Sequence, residues 1–199
     1  MRYCVIGVLL SSVCPRDDLR SRPDSSSAER HVGHRVEVTT PDPALSARTI
    51  ELALDNVAQG GKPFACIVVS AEDGDVLVEA TNQVAQSGDK SAHAEIVAIR
   101  ELASRGREDL SGCIAYVTAY PCPMCLGALY YAEPDLVVYA ASREEEGEHY
   151  EDGGRYMRLL TFYDEYAKPV EERSLPAVRG EVDDPTVPFR TWTAEHGDE

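Results

Sequence analysis

Three residues of metal-binding type constrain this chain more than any other feature. His93 stands in the run His93-Ala94-Glu95, and 29 positions later Cys122 opens the run Cys122-Pro123-Met124-Cys125, with Pro121 just ahead of it. Cysteines three apart at a helix start put both sulfurs on one face of its first turn, and Pro121 and Pro123 suit such a start. His93 begins a second helical segment. A chain that uses all three together must therefore bring two helix N-termini to one point, with whatever lies between them folded into a support. A structural zinc would want a fourth protein ligand. Three ligands and the unspent carboxylate of Glu95 suggest an open position holding water.

The intervening pattern supplies that support. Residues 44–59 place Ala44, Leu45, Ala47, Ile50, Leu52, Ala53, Leu54 and Val57 at helical spacing and stop at Gly60 and Gly61. FACIVVS and DVLVEATN read as two strands of a hairpin, and QSGDKSA as a loop. A helix from His93 to Gly106, a strand over residues 113–119, a helix over 122–132 stopped by Pro134, and a strand over 136–141 follow. The last strand is almost wholly apolar, as in a strand covered on both faces. Helices alternating with strands in this way predict an α/β protein of three layers, α/β/α, with a central mixed sheet. Beyond it, residues 142–154 read as an acidic loop and residues 155–167 as a helix with Tyr156, Leu159, Leu160, Tyr163 and Tyr166 near one face.

The expected organisation is an N-terminal extension over residues 1–40, a zinc-dependent domain over 41–167 and a C-terminal arm over 168–199. The first apolar run, residues 3–14, is too short to span a bilayer, and no A-x-A-like cleavage site follows it. Residues 15–43, rich in Arg, Asp, Ser and Pro, read as linker. Trp192 is expected to pin the tail. Nothing in the six cysteines resembles a secreted disulfide framework, and thiolate ligands favour a reducing cytoplasm. With 19 basic and 35 acidic residues the net charge is −16, which disfavours a nucleic acid as partner. A small neutral ligand is expected instead.

Two thiolates and an imidazole cancel the charge of Zn²⁺, which weakens it as a Lewis acid and calls for a second group to handle protons. Glu95 fits: it can take a proton from water, protonate a ring nitrogen and then protonate a departing amine. Asn82, at the end of the second strand, offers both a donor and an acceptor to a base edge, although Asn in a TNQ sequence is also an ordinary turn former. Phe64 suits either a stacking wall or core packing.

The H-x-E…P-C-x-x-C arrangement is the signature of zinc deaminases that act on nucleobases. Over residues 44–175 the chain resembles the cytidine deaminase superfamily, and most of all its bacterial guanine deaminase branch. GGKPFACIVV, TNQV, SAHAEIVAIR, TAYPCPMCLGALYYA and KPVEER carry the resemblance. It implies zinc on His93, Cys122 and Cys125, a proton shuttle at Glu95, and a substrate pocket touched by Asn82, Ala94 and Phe64. It also implies water as co-substrate and a homodimer in which the C-terminal segment is exchanged.

Some positions depart from that pattern. Tyr120 stands where the family commonly has glutamate, and Ala65 and Cys66 alter the first strand. The acidic residue that reads the purine falls among Glu148, Glu151 and Asp152, with a solvated acidic loop as the alternative. The leading expectation is deamination of guanine to xanthine and ammonia. Guanosine, cytosine or an aminotriazine are the alternative substrates. A tRNA-editing enzyme is opposed by the charge, and a non-catalytic zinc-stabilised binding domain leaves Glu95 without a role.

Overall fold

The structure is a computed structural model that describes residues 40–156, 158 and 161–197. The apolar run with Cys4 and Cys14, and the expected linker up to residue 39, lie outside the described residues. The first helix, α1 (Pro43–Ala58), opens with Pro43 at its first position and Asp42 as cap, whose side chain accepts the Ala44 N–H at 2.8 Å. A hairpin of β1 (Ala65–Ser70) and β2 (Val76–Thr81) follows. One short turn of helix, α2 (Val84–Ser87), occupies part of the expected loop. Next come α3 (Ala94–Ser104), β3 (Cys113–Ala119), α4 (Pro123–Ala132) and β4 (Leu136–Ala141).

The strands lie in the order β2-β1-β3-β4; β1 is antiparallel to both neighbours, and β4 runs parallel to β3. Alternation along the strands builds two cores. Cys66, Val68, Cys113, Ala115 and Val117 pack toward Ala94, Ala98 and Leu102 of α3 and Leu129 of α4. Ile67, Val69, Ile114 and Tyr116 face the opposite side, against Leu45 and Leu52 of α1. The result is the expected three-layer mixed sheet. β4 departs from expectation: it is an edge strand with a hydrogen-bonded neighbour on one side, and its Tyr139 and Ala140 are exposed.

The acidic stretch is not a plain loop. Arg143–Gly147 forms a helical turn, α5, closed by a reciprocal capping box in which the Glu145 N–H donates to Ser142 Oγ and the Ser142 N–H donates to the Glu145 carboxylate. The helix expected over 155–167 is shorter, α6 (Phe162–Ala167), and Leu159 and Leu160 lie outside the described residues. Gly153 and Arg158 form an isolated antiparallel bridge, whose extended backbone interrupts the expected helix. A helix α7 (Val187–His196) ends the described chain. Its Trp192 pins no tail: it is 60% exposed and stacks on His196 of the same helix. No described helix is long and apolar enough to cross a membrane.

Asn56 ties the end of α1 to the functional end of the sheet. Its amide Nδ2 donates to the carbonyls of Lys62 (2.7 Å) and Asn82 (2.9 Å), and its Oδ1 accepts from Gln86 (3.0 Å). A Cβ on Gly61 would lie 2.5 Å from this amide, so only glycine fits there. We expect Gly61→Ala to break the knot and destabilise the protein by about 1–3 kcal/mol. In an Asn56→Ala background the same substitution should cost much less. Denaturant unfolding of the two single variants and the double variant measures this; simple additivity would show that the contact is not the cause.

Candidate active site

Both helices that follow the hairpin start at the same end of the sheet. Thr81 at the end of β2 pairs with Ala65 at the start of β1, whose N–H donates to Thr118 Oγ1 near the end of β3. Ala119 pairs with Ala141, and the Tyr120 N–H donates to the Ala141 carbonyl, so α5 also departs from this end. Within it, His93 and Cys122 occupy equivalent places. Each is the N-cap of its helix, α3 or α4, with extended backbone and no side-chain capping bond. Their side chains are thus free to meet, and Cys122 Sγ lies 3.6 Å from His93 Nδ1.

Cys125, fully buried one turn along α4, completes a cluster: one donor atom each of His93, Cys122 and Cys125 lies within 4.8 Å of the others. The donor set has the chemistry of a zinc site with three protein ligands. Its protons are already partly arranged. The hydrogen bond from Cys125, with those from His93 and the helix backbone, lowers the Cys122 thiol to about 4. The same bond, together with burial, pushes Cys125 up. His93 is raised by its bond with Cys122.

Glu95, only 8% exposed, lies beside this cluster in the first turn of α3, and burial raises its carboxyl above the ordinary range. It shares a cavity with His93 and Cys122; Phe64, Ala119, Tyr120, Glu146 and Asp152 complete the walls. Phe64 packs on the core and also lines the cavity, where its ring meets Tyr150 edge-on at 5.1 Å. Asn82 is buried. Its Oδ1 accepts the Val84 N–H at 3.0 Å, and its Nδ2 has no partner among the described residues.

The other sequence candidates separate. Ala94 is fully buried in the core beneath the cluster, as are Ala65 and Cys66, and none of the three lines the cavity. Glu148 and Glu151 are exposed and lie outside the lining, whereas Asp152 is part of it. Two lining residues escaped sequence reasoning, Ala119 and Glu146. The signal for Glu146 was the Ser142-x-x-Glu145 capping box, which places a helical turn where the charge run suggested loop. Lys62 was also missed: its Nζ donates to both Asp152 oxygens at 3.1 and 3.2 Å.

An α/β/α frame that presents one imidazole, two thiols and a buried carboxyl at one sheet end defines the zinc-dependent hydrolytic deaminases. The chain belongs to the cytidine and deoxycytidylate deaminase family, whose zinc-binding region matches residues 40–141. It is 38% identical over 147 residues to the guanine deaminase of Bacillus subtilis, a match covering 73% of this chain and 89% of that protein. The crystal structure of guanine deaminase from Bacillus subtilis superposes with a TM-score of 0.69 and 35% identity over 78% of this chain and 95% of that one. A guanine deaminase structure from Nitrosomonas europaea gives a TM-score of 0.52 at 28% identity, covering 63% of this chain and 74% of that one.

Because cysteine binds zinc as the thiolate, zinc uptake by the apo-protein at neutral pH should release at least about one proton per ion, and affinity should rise with pH. Indicator-dye titration reads the release directly. Uptake without proton release would contradict ligation by both cysteines.

Proposed function

We propose that the protein hydrolyses guanine to xanthine and ammonia, with His93, Cys122 and Cys125 as zinc ligands and Glu95 as proton shuttle. The observation that carries this reading is the buried Glu95 carboxyl, which opens onto the same cavity as His93 and Cys122. A purely structural metal site has no use for such a group. When bound, zinc supplies the Lewis acidity that makes a water nucleophilic at neutral pH. Glu95 accepts one proton from the attacking water and delivers it to the ring nitrogen beside the amino-bearing carbon; it then takes the remaining proton of the added hydroxyl and passes it to the amine, which leaves as ammonia while the carbonyl forms. Its raised carboxyl suits both halves of that transfer.

The purine choice draws on the two guanine deaminase relatives and on the cavity walls. Phe64 and Tyr120 offer flat apolar surface to a ring, and the unpartnered Asn82 Nδ2 supports a donor role toward a base acceptor. Among the described residues no lysine or arginine lines the cavity itself, which suits a neutral free base better than a nucleic acid. The thiol ligands fit a reducing cytoplasm.

The reading extends to assembly: residues 41–167 form the deaminase domain, and residues 168–199 an arm that packs on a second copy. In support, the chain beyond Lys168 buries little against its own domain, with Val178 95%, Phe189 71% and Trp192 60% exposed. Tyr131 at the end of α4 is 92% exposed as well.

Ammonia release from guanine, guanosine, adenine, cytosine and an aminotriazine by zinc-loaded protein tests the substrate. Guanine should lead, and a clear preference for guanosine would overturn the free-base reading. Glu95→Gln should keep one zinc per chain and lose roughly 10²–10⁴-fold in kcat. Light scattering should give twice the chain mass for the full protein and the monomer mass after truncation before Lys168. A full-length monomer would end the exchanged-arm proposal.

A further inference from the structure

Two aromatic residues line the cavity, Phe64 and Tyr120, and they are held in different ways. Phe64 packs against the larger core, so its ring serves the fold whatever enters the cavity. Tyr120 lies in neither described core. Its backbone is nonetheless closely fixed. The Tyr120 N–H donates to the Ala141 carbonyl at 2.9 Å, and the residue precedes the buried Pro121, which confines it to extended conformations.

The ring has supports of its own. Tyr139 of β4 meets it edge-on with centroids 5.2 Å apart, and the Arg143 guanidinium lies over it, 5.6 Å from its centroid. Arg143 also lies over the Tyr163 ring at 4.6 Å, and the Tyr163 hydroxyl donates to the Pro121 carbonyl at 3.2 Å. Tyr120, Arg143, Tyr163 and Pro121 thus close a circuit, because Pro121 is the next residue in the chain. β4, α5 and α6 each contribute one side chain to the bracing of this ring at the cavity wall. A ring held in this way has little freedom left to lose when a flat ligand covers it, which favours stacking.

We propose that Tyr120 is a specificity-determining residue whose ring is the stacking surface for the base, and that Arg143 is the positioning residue that holds it. The proposal rests on the nucleobase reading above and deepens it, because stacking grows with the ring area covered. A two-ring purine gains more from Tyr120 than a one-ring pyrimidine bearing the same amino and oxo groups.

The experiment compares guanine with isocytosine, which is the six-membered ring of guanine without the fused imidazole. Calorimetry measures both on zinc-loaded Glu95→Gln protein, alone and combined with Tyr120→Leu, Tyr120→Phe, Arg143→Ala or Arg143→Lys, after zinc content and circular dichroism have been matched. Tyr120→Leu should weaken guanine binding roughly 10- to 100-fold, the range of one base stacked on one aromatic ring. Isocytosine should lose clearly less, and Tyr120→Phe, which keeps the ring, should stay within about threefold of the parent for both compounds. Arg143→Ala should weaken guanine by about three- to tenfold, with Arg143→Lys nearer the parent, and should add less than about twofold once Tyr120 is leucine. With Glu95 intact, Tyr120→Leu should raise KM for guanine by a similar factor and change kcat less than about threefold.

Equal losses for guanine and isocytosine, a Tyr120→Phe variant as weak as Tyr120→Leu, or a Tyr120→Leu variant that binds guanine as the parent does, overturn the stacking assignment. An Arg143→Ala effect that is the same with or without the Tyr120 ring overturns the positioning role. If guanine binds with the expected pattern but is not deaminated, the guanine reading fails and the Tyr120 assignment stands. Failure of guanine to bind at all overturns both.

Discussion

The site depends on two helix caps given over to other work. An α-helix begins with unsatisfied N–H groups, normally met by Ser, Thr, Asp or Asn at the N-cap. At α3 and α4 those places belong to His93 and Cys122, and neither side chain turns back to cap its helix. Forgoing a cap costs roughly 0.5–2 kcal/mol per helix, and what replaces it is electrostatic. Both helix N-termini direct their positive ends toward the cluster, which favours thiolate over thiol. Cys122 is lowered first by its hydrogen bond with Cys125, then by that with His93, and the Cys125 backbone N–H at the helix start adds to both. The β2-α3-β3-α4-β4 order then forces the rest, since each helix must leave the same end of the sheet for the two caps to meet.

Around that centre the fold fixes what must not move. Asn56 bonds the carbonyls of Lys62 and Asn82, so the loop before β1 and the end of β2 share one anchor. Lys62 carries that anchorage to Asp152, 90 residues away in sequence, and Arg143 holds the opposite wall by lying over the rings of Tyr120 and Tyr163. Tyr163 itself donates to the carbonyl of Pro121, next to the first cysteine. The cavity is therefore bounded by groups tied to the sheet on one side and to α5 and α6 on the other.

The parts legible in sequence were those written in local pattern. Helical and alternating periodicity located α1, the hairpin, α3, β3, α4 and β4 closely, and the spacing of His93, Cys122 and Cys125 defined their cluster because the geometry of a helix start leaves little choice. The acidic segment was harder. A run such as REEEG looks solvated, and only the Ser142–Glu145 box betrays the turn that aims Glu146 inward. Lys62–Asp152 and Arg143–Tyr163 are contacts between distant or separately folded segments, and no local rule announces them. β4 misled for a related reason: an apolar composition is compatible with burial but does not say what covers the strand. Leu136 and Val138 pack on the core beside α1, while the described helices leave Tyr139 exposed.

Charge around the cavity bears on what can enter it. Cys122, Glu95, Glu146 and Asp152 are all acidic groups, and one bound Zn²⁺ would offset the two thiolates. Lys62 already offsets Asp152. Glu95 and Glu146 remain, and burial raises both; Glu146 moves to about 7, with Cys122, Asp152 and Glu95 adding to the shift. Lys90 and Arg155 stand in the adjoining cleft, but both are exposed, where water and salt screen them. A phosphate brought into the cavity would meet two carboxyl groups already reluctant to ionise. A neutral ring brings no further negative charge beside them.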